Sequence, residues 1–117
     1  MEDRFQVKFL NEAAEFLDTL EEKARDKVIY NIHKARKTLD KELLKKLKGE
    51  IWEFKTLFNK THYRLFAFWD KTKGKNTIVV ATHGLIKKSG KIPSGEIVKA
   101  EKIMDLYFEH KNETNEK

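Results

Sequence analysis

An arginine set inside an apolar run, and lysines placed on or beside predicted strands, are the residues of this chain best suited to chemistry. Arg64 interrupts "HYRLFAF", where it must either pair with a carboxylate or face a solvated groove. Lys55 lies on the preceding predicted strand, close to Arg64 across a short hairpin, while Lys87, Lys88 and Lys91 follow the next strand. Arginine stays charged and clamps phosphate oxygens in a planar fork, whereas lysine exchanges protons near neutrality when other cations lower its pKa. Such a group suits cleavage of RNA by its own 2′-hydroxyl. That reaction needs a base for the 2′ proton, an acid for the leaving 5′-oxygen and fixed positive charge for the phosphorane between them. Plainer uses compete: Arg64 in a structural ion pair, with Glu53 as the partner, and the three lysines as an ordinary solvated loop. His83 is read either as a proton carrier or as a strand-end histidine held by packing.

Other chemistries find less support. The histidines at 33, 62, 83 and 110 are far apart and lack ligand spacing, so no metal is expected, and no cofactor fingerprint occurs. "GLIKKSGKIPSG" has three glycines at the wrong spacing for a phosphate loop. Zero cysteines exclude disulfides and thiolate chemistry and make a reduced cytoplasm the expected compartment. No apolar run approaches the roughly 18 residues of a membrane span, and the N-terminus does not read as a secretory signal.

Charge placement points to a polyanion. The chain of 117 residues carries a formal +6, but residues 33–91 alone hold 16 basic and 5 acidic side chains, a net +11, between flanks of −3 and −2. A field of that size concentrates nucleic acid near the surface. Lysines outnumber arginines 21 to 4, which gives each arginine added weight.

The elements that must position these residues follow from periodicity. "FQVKFL" suits a short edge strand ending at Asn11, a candidate helix N-cap. Ala13, Phe16, Leu17, Leu20 and Ala24, then Val28, Ile32, Ala35 and Leu39, recur at helical spacing with a change of phase near Glu21 to Lys23, predicting two helices or one bent helix. "LLKKLKG" reads as a connecting segment. Three strands follow, around Trp52 to Phe58, in "HYRLFAFWD" and in "NTIVVATHGLI", the last two joined through "KTKGKN". Alternation predicts Trp52 and Phe54 facing the core, with Glu53 and Lys55 on an open face. Pro93 suits the first turn of a final helix whose stripe is Ile97, Ala100, Ile103, Met104 and Tyr107. The expected class is α+β: a strand, two helices, an antiparallel three-strand meander and a C-terminal helix, with the helices on one sheet face. Residues 1–110 form one domain in this reading, and 111–117 a frayed polar tail.

The succession "LKGEIWEFK", "HYRLFAFWD" and "VVATHGLIKKSGKIPSGEIVKA" resembles the RelE/ParE toxin superfamily, in particular its HigB-like, phage-derived branch. The resemblance rests most on Trp52-Glu53, Tyr63-Arg64, His83-Gly84, Lys87-Lys88, Pro93, Glu96-Ile97 and Ala100. It implies a RelE-like fold and the toxin of a type II toxin–antitoxin pair that cuts mRNA on the ribosome. The implied partner is a cognate antitoxin, in this branch often a helix-turn-helix protein. Arg64 matches the arginine that binds the scissile phosphate, and Lys87 and Lys88 match the basic pair after the third strand. The implied site is therefore Arg64, Lys87, Lys88 and His83 for catalysis, with Lys48, Lys55 and Lys91 binding RNA. Lys55 stands where the branch usually has arginine. Val98 falls where some relatives carry a catalytic tyrosine, leaving Tyr63 or Tyr107 to substitute. A ParE-like inhibitor of DNA gyrase and a non-catalytic, RNA-binding or antitoxin-bound relic are the other implied functions.

Overall fold

The computed structural model describes residues 5–38, 40–72, 77–87 and 92–115. They form β1 (Gln6–Phe9), α1 (Asn11–Thr19), α2 (Glu22–Thr38), β2 (Leu44–Lys48), β3 (Ile51–Phe58), β4 (Thr61–Asp70), β5 (Ile78–Lys87) and α3 (Ser94–Asn115). The α+β class and the meander agree with the sequence reading. The five strands make one mixed sheet in the order β1-β5-β4-β3-β2, with β1 parallel to β5 and the other pairs antiparallel.

The helices occupy both faces of this sheet, not one as expected. Ala24, Val28, Ile32 and Ala35 line one side of α2, and with Ala13 and Leu17 of α1 they bury Phe54, Leu65, Ala67, Val79 and Ala81. Ala100 of α3 covers Ile51, Phe66, Phe68 and Val80 on the opposite face. Strands buried on both sides lose simple alternation, which explains why β4 reads as an almost unbroken apolar run. Gly84 is required by close packing on the α1 side, since a Cβ there would overlap the Phe16 ring.

Several boundaries differ from expectation. Leu10, not Asn11, is the N-cap of α1 and makes no side-chain capping bond; Asn11 is the first helical residue. Pro93 precedes the helix rather than opening it, and its carbonyl accepts from Glu96 N–H. Helix α3 continues to Asn115, taking in most of the segment read as a frayed tail. "LLKKLKG" contains a true strand, β2, paired with β3. An irregularity between Lys46 and Lys48 breaks its alternation, so its leucines carry no period of two. Leu39 and residues 73–76 of the "KTKGKN" turn lie outside the described residues.

Two local features set the register that matters for the site. Asn59 and Lys60 both have positive φ, at 51° and 62°, as in the tight turn that favours two-residue hairpins. That turn joins Phe58 to Thr61 and places Lys55 opposite Arg64. On β5 the pairing shifts between Phe66 and Ala67, leaving Thr82 as an extra residue. Val80 faces α3 before the shift, and His83, Leu85 and Lys87 face that side after it.

Candidate functional site

The residues of interest form rows across the sheet on the α3 side. Lys55, Arg64 and Leu85 make one row, and Leu57, His62 and Lys87 the next. Glu53, Phe66 and His83 make the row nearest the helix. Directly opposed residues on a sheet have Cβ atoms about 5 Å apart, so Lys55 and Arg64 are immediate neighbours and Lys87 lies one row away. The sheet thus brings Lys55, Arg64 and Lys87 together on one face. Trp52 and Phe54 point the other way, to the α1–α2 face as alternation predicts, with Phe54 buried in the core and Trp52 half-buried at its edge.

Arg64 is held by the carboxylate proposed from the sequence. Its Nη1 donates to both oxygens of Glu53, at 2.7 and 3.0 Å. Glu53 itself is 1% exposed, so the expectation that it points to an open face is corrected: the face is right, but Glu53 is covered. Glu53 is buried and the Arg64 side chain only 15% exposed, so removing Arg64 leaves an unpaired carboxylate in a low dielectric. The Arg64 Nε is buried without a partner among the described residues. The guanidinium is therefore fixed through one nitrogen and retains unmet donor capacity.

His83 is packed and hydrogen-bonded within the fold. It is buried, stacked on Phe66 with ring centroids 4.8 Å apart, and both its nitrogens are engaged. Nε2 lies 2.9 Å from Glu96 of α3, and Nδ1 lies 2.9 Å from the Thr82 hydroxyl. This contact ties the irregular part of β5 to the start of α3. Burial pushes the imidazole below its ordinary value; the Glu96 bond offsets this only in part, and the Lys99 charge adds to the lowering. The folded chain therefore takes up this proton less readily than the unfolded chain. The stability His83 contributes is full above the unfolded value of 6.5 and is lost as pH falls from there towards the folded value. Urea unfolding followed between about pH 7 and about pH 5 should show this slope, and His83→Gln should remove it.

The remaining candidates separate. Lys48 is exposed at the β2–β3 end of the sheet, its partner Ile51 lying four residues along β3 from Lys55, so it does not join Arg64. Lys88 and Lys91 lie outside the described residues. Tyr63 belongs to the α1–α2 face, opposite to Arg64. Tyr107 is committed elsewhere, since its hydroxyl donates to Asp70 at 2.6 Å, and burial together with that bond pushes its pKa up. Val98 is exposed on α3.

Two features escape the sequence reading. His62 shares a row with Lys87 on the Arg64 face, a position given only by the register of the Asn59–Lys60 turn. Asp70, at the end of β4, is buried and accepts from Tyr107, from Lys111 at 2.8 Å and from the hydroxyl of Thr72 at 2.7 Å. Burial would raise its carboxyl, but these bonds outweigh burial and hold it well below the usual range. A charged residue closing an apolar strand was the available signal, the same one that singled out Arg64.

Among the described residues no His, Asp or Glu group could hold a metal ion, and no helix is long and apolar enough to cross a membrane. No curated protein is similar enough to the chain to match it. A family model, phage derived protein Gp49-like (DUF891), matches residues 15–105, which takes in the Lys55, Arg64 and Lys87 rows and most of α3. The chain therefore belongs to the Gp49-like phage-derived family, a family of RelE/HigB-like toxins.

Proposed function

We propose that this protein is the toxin of a type II toxin–antitoxin pair and acts in the cytoplasm as a ribosome-dependent mRNA endonuclease. The observation that carries the proposal is the convergence of Lys55, Arg64 and Lys87 on one face, with Arg64 anchored by Glu53. In this reading Arg64 grips the scissile phosphate and Lys55 adds charge beside it. The 2′-oxygen attacks phosphorus, the bond to the 5′-oxygen breaks, and a 2′,3′-cyclic phosphate and a 5′-hydroxyl result. His62 and the Lys87–Lys88 pair take the 2′ proton and supply one to the leaving oxygen. His83 acts by position, holding β5 against α3. Family membership supports an antitoxin partner, which the resemblance makes a helix-turn-helix protein.

Lys55, Arg64 and Lys87 supply charge and reacting groups on one sheet face, and this reading assigns the ribosome the task of presenting and ordering mRNA. The test is cleavage of one mRNA, naked and in translating ribosomes. Clear cleavage on ribosomes with little on naked RNA is expected, alongside growth arrest on expression and relief by an antitoxin encoded next to it. Equal rates on both substrates would identify a free ribonuclease. Absence of cleavage and arrest with abundant folded protein would end the proposal.

A further inference from the structure

A second cationic feature lies around Trp52, on the opposite face of the sheet from Arg64. Trp52 is half-buried and meets Trp69 edge-on, with ring centroids 5.7 Å apart. Lys46 is its direct partner across the β2–β3 pair, and the Lys71 ammonium sits 5.8 Å above the Trp69 ring. Open grooves flank the indole on two sides. One, of about 510 Å³, runs between Lys46 and Lys71 past both tryptophans, with Glu50 on its border. The other, of about 400 Å³, is bordered by Lys41, Lys45, Lys46 and Lys55, with Glu42 as its acidic member. The Trp69 indole N–H is buried with no acceptor among the described residues.

Lysines on an edge strand discourage sheet-to-sheet aggregation. That role does not require two indoles at the surface between them, nor an unmatched N–H beneath. Lysines around an accessible aromatic ring are the usual means of holding single-stranded nucleic acid, with the rings stacking bases and the cations following the backbone. We propose that the Trp52 grooves bind a single-stranded RNA segment, one base stacking on Trp52 with its phosphates on Lys46 and Lys71. Lys55 borders both this groove and the Arg64 row, and Lys45 lies on the Arg64 face opposite Glu53. A cationic track thus crosses the β2 edge and joins the two faces. The substrate class rests on the endonuclease reading, but the Trp52 contact is a separate site.

The test uses intact protein and a ten-residue oligouridylate, read by quenching of tryptophan emission. Saturable quenching is expected, with affinity falling about 10-fold in Trp52→Leu and by a similar factor in Lys46→Glu and in Lys71→Glu. Trp52→Phe should keep affinity within about 3-fold, because a ring remains to stack on. Circular dichroism checks folding, and the two lysine variants alter only exposed positions. Arg64→Ala should leave the quenching in place while cleavage falls, and quenching by the unaltered protein without any cleavage on ribosomes would count against the endonuclease reading alone. The proposal is overturned by absence of quenching up to about 0.1 mM oligouridylate, by equal affinity in the Trp52 and lysine variants, or by equal quenching with a heparin fragment, which has charge but no bases.

Discussion

Replacing Arg64 with alanine should slow single-turnover cleavage on programmed ribosomes about 10²- to 10³-fold, the effect of losing one preorganised donor to the transition state. Arg64→Lys should recover only part of this, because a point charge cannot reproduce the planar fork. The Glu53 contact makes the experiment more exacting. Glu53 is 1% exposed and receives both of its bonds from the Arg64 Nη1, so alanine at 64 also leaves a buried carboxylate without its cation. Loss of about 3 to 5 kcal/mol of folding stability would follow from that alone. The double variant Glu53→Gln/Arg64→Ala separates the causes. Its interior is neutral again, so urea unfolding should show most of the stability restored, while cleavage should stay as slow as in Arg64→Ala. Recovery of cleavage in the double variant would place Arg64 in the fold and not in the reaction.

The second large effect concerns stability. Asp70→Ala removes the common acceptor of Tyr107, Lys111 and Thr72, the groups that tie the end of β4 to α3. Lys111 keeps some contact with water, its side chain being 18% exposed, so the cost falls near the lower end for broken buried pairs, about 3 kcal/mol. For a domain of this size that lowers Tm by about 12 °C or more, measurable by calorimetry. Asp70→Asn should fall between the two, since it keeps an acceptor for Tyr107 but loses the charge facing Lys111. The wild-type carboxyl is held below its ordinary value of 3.8, so its stabilisation is present above about pH 4 and is lost as acid protonates it. Asp70→Ala should therefore show a flatter fall in stability below that pH than the wild type.

Period and turn chemistry made much of this molecule legible. The stripes Ala13–Leu17 and Val28–Ile32–Ala35 and the opposition of Phe54 to Lys55 follow from spacing, and the Arg64–Glu53 pair is one of the two outcomes that the cost of an unpaired charge in an apolar strand allowed. The illegible parts are those where a single residue changes phase. Leu47 hid β2 by breaking its alternation, and Thr82 moved Lys87 to the Arg64 face, where an unbroken period of two would have sent it to the other side. Thr82 is fully buried, with its hydroxyl 3.3 Å from the Phe66 carbonyl, a tertiary contact that no local pattern announces. The covering of both sheet faces was hidden for a related reason: a stripe shows that α3 buries one side, but not which face of the sheet receives it.

The parallel pairing of β1 with β5 has a consequence for how the chain comes together. Gln6 meets Ile78, so this ladder closes a loop of roughly seventy residues, whereas the β3–β4 hairpin closes over two. Synthesis delivers β1 first and its partner near the end, and the strand must wait. Arg36 shortens that wait in space: from the last turn of α2 its Nε donates to the Phe5 carbonyl and its Nη2 to the Gln6 side chain, both at 3.2 Å. The helix can therefore carry the first strand to the flank of the sheet before β5 exists. By loop length the β3–β4 and β4–β5 pairs, which bring the Arg64 and Lys87 rows together, close over short connections, and the β1–β5 ladder is the costly closure that the Arg36 tether eases.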